Sequence, residues 1–139
     1  SPLKFSLPTG AQKPGFEPIA GEIVVEKDVN SGFIGTSLEV QLRRAGISRL
    51  VIVGFFTNFC VETTTRMSGN LGFDTYLVED CCSASNRVGP DGVDRDPELV
   101  HAMTVANLHG EFCTAIKFSD ALGLVNGDNT SLSRCQGNE

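Results

Sequence analysis

The sequence has 139 residues, enough for one domain with a core of its own. Its formal charge is -6 with no dense lysine or arginine block, which argues against nucleic acid or an anionic membrane surface as a partner. No apolar run approaches the roughly 20 residues of a membrane-spanning helix, and no signal peptide is visible.

Residues 1–21 are rich in proline and glycine, with Leu3, Phe5, Leu7, Phe16 and Ile19 between them. This predicts an extended, packed surface segment with no long helix. Glu22–Glu26 reads as a short strand ending at Lys27. Thr36-Ser-Leu-Glu39 has the spacing of a capping box, so a helix is expected to start at Thr36 and stop at Gly46. Leu50–Val53 is an unbroken apolar run rich in β-branched residues, the pattern of a parallel strand covered on both faces.

Gly54 breaks that run, and Thr57 and Asn58 are good N-caps for a helix reaching about Leu71-Gly72. Cys60 then falls in the first turn, where free backbone N–H groups and the helix dipole favour a thiolate. The competing reading of Cys60 is a buried packing cysteine. Lys27 and Cys60 would share the rim at the carboxyl ends of the strands, and a cation near a thiol also favours the thiolate.

Asp74–Glu79 is the next expected strand, followed by a polar loop over 80–96. Asp96-Pro97-Glu98 reads as an N-cap with proline at the first helical position, and this helix ends at Gly110. Phe112–Phe118 is expected as a strand and Ser119–Val125 as a short helix. Residues 126–139 are polar and read as a disordered tail outside a single domain spanning 1–125. The alternation of strand and helix predicts an α/β fold, a parallel sheet with helices on both faces.

The five cysteines, Cys60, Cys81, Cys82, Cys113 and Cys135, are odd in number and follow no metal or disulfide spacing. They predict reduced thiols, a cytosolic compartment, no metal and no cofactor. Cys81 and Cys82 are candidates for a redox pair, with ordinary packing as the alternative. His101 and His109 are too widely spaced for a metal pair on a helix and read as surface or interface residues.

Three segments together resemble the isochorismatase-like cysteine hydrolases. They are Val24-Val-Glu-Lys27-Asp-Val-Asn-Ser-Gly-Phe-Ile-Gly-Thr-Ser-Leu-Glu39, then Val53-Gly-Phe-Phe-Thr-Asn-Phe-Cys60-Val-Glu-Thr-Thr-Thr-Arg66, then Asn70-Leu-Gly-Phe-Asp-Thr-Tyr-Leu-Val-Glu-Asp80. The resemblance covers roughly residues 21–118. It implies a Rossmann-like, three-layer α/β/α fold and hydrolysis of a small amide, ureide or vinyl-ether substrate through a thioester. It also implies a cytoplasmic homo-oligomer.

On this resemblance Cys60 is the nucleophile, and Lys27 holds the thiolate. The Phe55–Phe56 peptide bond would be cis, and the N–H groups of Phe56 and Cys60 would form an oxyanion hole. Phe33, Phe55, Phe59 and Asn58 become candidate substrate-binding residues, with core packing as the alternative for the phenylalanines. The family's base, an aspartate on its first strand, has no counterpart here, and Asp28 lies on the wrong strand. The family's first two strands are thus expected to be absent from this chain, leaving Leu50–Val53 without a neighbour on one side. An N-terminal segment, possibly a separate chain, becomes an expected partner. A non-catalytic binding or oligomerisation module and a thiol redox protein are the alternatives.

Overall fold

The computed structural model describes residues 14–126. Three parallel strands form its sheet: β1 (Arg49–Phe55), β2 (Asp74–Ser83) and β5 (Thr114–Ile116), in the order β1-β2-β5. A small antiparallel hairpin, β3 (Arg87–Val88) and β4 (Asp94–Arg95), follows β2. The helices are α1 (Leu38–Arg44), α2 (Glu62–Asn70), α3 (Pro97–Leu108) and α4 (Phe118–Val125). The expectations for residues 1–13 and 127–139 fall outside the described residues.

Alternation along β2 builds a core on each side of the sheet, because successive side chains point to opposite faces. Leu77 is fully buried with Val61, Val105, Leu108 and Cys113 on the side of α2 and α3. Tyr76 and Val78 point the other way and pack with Ile116 and Ala121 of α4. The parallel sheet with helices on both faces is therefore as the alternation of elements predicted.

Several boundaries differ from the sequence reading. Residues 22–27 form no ladder, so the strand expected at Glu22–Glu26 is irregular chain. A ladder needs a partner strand, and among the described residues none runs beside this segment. The capping box at Thr36 is also corrected. Ser37 is the N-cap, and Glu39 pairs forward with Arg43 at 2.9 Å instead of reaching back. The helix still stops as expected, with Gly46 at φ +70, a backbone conformation that glycine adopts without a Cβ clash.

Strand β1 is not covered on both faces. Ile52 packs into the core beside Leu77, whereas Val51, Val53 and Phe55 are 40%, 55% and 59% exposed. Among the described residues β1 is hydrogen-bonded to β2 alone. Its register on β2 shifts between Ile52 and Gly54, where Gly54 takes φ +134. This irregularity ends the strand two residues later than the apolar run suggests.

Strand β2 runs on through Asp80, Cys81 and Cys82, which the sequence assigned to a loop. Gly54 and Phe55 of β1 pair with Cys82 and Ser83 and hold that polar stretch in the sheet. Helix α3 starts as read, with Asp96 accepting from Glu98 N at 2.8 Å, and gives way at His109 rather than at Gly110. Strand β5 spans only Thr114–Ile116, shorter than Phe112–Phe118, and α4 begins at Phe118 with Lys117 as its cap.

Candidate active site

The carboxyl end of β1 turns directly into the helix that bears Cys60. The Phe55–Phe56 peptide bond is cis. Phe56 is the N-cap in extended conformation, and a wide π-helical turn, Thr57–Val61, leads into α2. The caps expected at Thr57 and Asn58 are not formed, because both side chains are engaged elsewhere. Thr57 is fully buried, its hydroxyl 2.9 Å from His101 Nδ1 on α3. The Asn58 amide accepts from Ser85 N at 3.1 Å and faces Ser85 O at 3.4 Å. The turn is thus fastened to α3 on one side and to the residues before the hairpin on the other.

Cys60 is half-buried in this first turn. Lys27, some 33 positions earlier in the chain, places its Nζ 3.2 Å from Cys60 Sγ. The same ammonium donates to Val29 O at 2.9 Å. Asn30 Oδ1 lies 3.8 Å from Sγ on the same loop, a contact the sequence reading missed. A thiol facing an ammonium within hydrogen-bond distance at the start of a helix can serve as a nucleophile, since the thiolate is the reacting form.

The other thiols are held differently. Burial pushes the Cys113 thiol up to about 11. Burial also raises Cys82, against a backbone hydrogen bond with Gly54 that lowers it. Cys81 and Cys82 sit within β2 rather than on a loop. His109 caps α3 and accepts from Ala115 N at 3.0 Å. His109 is exposed as expected, whereas His101 is partly buried and anchors Thr57.

The four candidate substrate-binding residues have separate surroundings. Phe33 stacks on the buried Phe73 at 5.9 Å, and Arg43 lies over the same Phe73 ring at 4.7 Å. Phe55 stands largely exposed beside Phe56, with ring centroids 6.3 Å apart. Phe59 lies under the Arg87 guanidinium at 4.9 Å. Asn58 is tied to Ser85, as described. The structure therefore joins Lys27 to Cys60. A cavity of about 280 Å³ is lined by Cys82, His101 and Lys117 among others and not by Cys60, with Lys117 paired to Glu79 at 2.8 Å. Among the described residues no group of histidine, cysteine, aspartate and glutamate side chains could hold a metal ion. No helix among them is long and apolar enough to cross a membrane.

Residues 5–114 match the isochorismatase domain. The chain belongs to the isochorismatase family. An isochorismatase-family structure from Chromobacterium violaceum superposes with a TM-score of 0.85 at 42% identity, covering 91% of this chain and 66% of that one. Among curated relatives, the isochorismatase family protein YrdC of Bacillus subtilis is 45% identical over 100 residues, 72% of this chain and 54% of that protein. The ureidoacrylate amidohydrolase RutB of Agrobacterium fabrum is 33% identical over 109 residues, 78% of this chain and 43% of that protein. This isochorismatase-family chain thus spans about half the length of those two relatives.

Proposed function

We propose that the protein is a cysteine hydrolase that cleaves a small amide or ureide through a thioester on Cys60. The observation that carries this reading is the 3.2 Å approach of Lys27 Nζ to Cys60 Sγ where β1 passes into the helix. The amidohydrolase named among the relatives supports the choice of a C–N bond.

The Cys60 thiolate attacks the substrate carbonyl carbon and forms a C–S bond. The carbonyl electrons move to oxygen, where the N–H groups of Phe56 and Cys60 stabilise the charge. Such a donor is typically worth about 10²–10³ in rate. Collapse breaks the C–N bond, and the leaving nitrogen takes up a proton. Water then attacks the thioester and releases the acid, returning the thiolate to Lys27.

The proton carrier in this reading is a carboxylate on a further strand, in the same chain or another, beside β1, which among the described residues pairs with β2 alone. Asp28 does not fill this role: it neighbours Lys27 in sequence but belongs to the loop. Burial raises the Cys82 thiol, so a redox couple of Cys60 with Cys82 is the weaker reading.

The test is a panel of small amides and ureides given to the full-length protein, with mass spectrometry of the quenched reaction. The expected result is an acyl adduct on Cys60, absent in Cys60→Ala, with turnover lost in the same variant. Lys27→Ala should lower kcat by about 10²-fold, the range for losing the group that orients a nucleophile. Turnover that survives Cys60→Ala would sink the reading.

A further inference from the structure

We infer that Thr64 is a positioning residue for the Lys27–Cys60 pair, acting by tying the loop after Lys27 to α2. This rests on reading Cys60 as the nucleophile.

Residues 22–27 join no ladder among the described residues, so sheet hydrogen bonds do not fix Lys27. Its ammonium is placed by two contacts, with Cys60 Sγ at 3.2 Å and Val29 O at 2.9 Å. The loop carrying Val29 must itself be held. Gly32 N donates to Thr64 Oγ1 at 3.0 Å, and the same hydroxyl lies 3.5 Å from Asn30 O. Gly32 O in turn accepts from Thr36 Oγ1 at 2.6 Å. The backbone of Gly32 is thus held between two threonine hydroxyls. A Cβ on Gly32 would meet Thr64 Cγ2 and Leu38 Cδ2 at 3.4 Å each, ordinary van der Waals contact.

Thr64 follows Cys60 by one helical turn, which puts both side chains on one face. The contacts therefore close a circuit. It runs from Cys60 to Lys27, Val29, Asn30 and Gly32, then through Thr64 back to Cys60 along one turn of helix. Removing the hydroxyl opens the circuit at Gly32 N and leaves the loop, with Lys27 on it, free to shift from Sγ.

The experiment uses the full-length protein with Thr64→Val and Thr64→Ser. Alkylation of Cys60 by iodoacetamide at neutral pH is followed by mass spectrometry, with Cys113 as internal control, beside kcat, KM and a thermal melt. Thr64→Val should slow Cys60 alkylation by about tenfold, as expected when a thiolate loses its cation. It should also lower kcat by about 10–100-fold with KM little changed, and Thr64→Ser should restore both. Wild-type alkylation in folded Thr64→Val, or no rescue by serine, overturns the inference. If Thr64→Val does not fold, Thr64→Ala is read by the same criteria. The alkylation arm needs no substrate, so it decides the role of Thr64 even where the hydrolase reading fails on Cys60→Ala.

Discussion

Four thiols lie among the described residues, and their surroundings separate them. Cys113 is closed off by Val61, Leu77, Val105 and Leu108, and its burial raises its ionisation to about 11 from an ordinary 9.0. A folded value above the unfolded one means that the fold favours the protonated thiol. Its contribution to stability is whole below about 9 and is lost as pH rises from there towards 11. Denaturation measured across that range should therefore show a downward slope that flattens in Cys113→Ala, and an unchanged slope would refute it. Lys27 and Cys60 could be paired from sequence through the resemblance and through a strand expected to end at Lys27, and the ammonium reaches the thiol although that strand does not form. The partners of Thr57 and Asn58 could not. A hydroxyl and an amide at a helix start read as caps, and only the packing of α3 and of Ser85 against the turn redirects them. Thr64 was legible in principle, since it follows Cys60 at the spacing that shares a helix face, but nothing local says that a glycine would meet it.

At the scale of elements, helix α2 is set against the turn after α3 by a residue with no side chain. A Cβ on Gly69 would lie 2.6 Å from Phe112 O and 3.0 Å from Phe112 Cα. Both are backbone atoms, so relief requires the helix or the turn to move. Gly69→Ala should cost about 1–3 kcal/mol, the usual penalty for overpacking, although alanine is the better helix former. Chemical denaturation would measure this, and a stabilised variant would contradict the packing argument. The same dependence on neighbours explains which elements were readable. Helix α3 announces itself through Asp96-Pro97, a purely local signal. The polar tail of β2 does not, because Asp80–Ser83 is extended through pairing with Gly54 and Phe55. The reverse holds for Glu22–Glu26: its residues favour a strand, yet no ladder forms on them.

For the molecule as a whole, β1 pairs with β2 alone among the described residues and presents an apolar face. Val51, Val53 and Phe55 point to the same side, opposite Ile52, and remain exposed. Exposed apolar patches of this kind mark contact surfaces. The chain should self-associate through this face, and Val53→Lys should shift it to about half the apparent mass if the species is a pair of chains meeting there. Sedimentation would read this directly, and an unchanged distribution would count against β1 as the contact. Parallel topology followed from the alternation of strand and helix, whereas one-sided cover of β1 contradicts its uniformly apolar sequence. The Asn58–Ser85 link carries a further consequence. One amide side chain bridges residues 27 apart and so laces shut a length of chain holding α2 and the central strand with the fully buried Leu77. The reactive bend is thereby tied to that buried interior and is expected to open only when the interior opens.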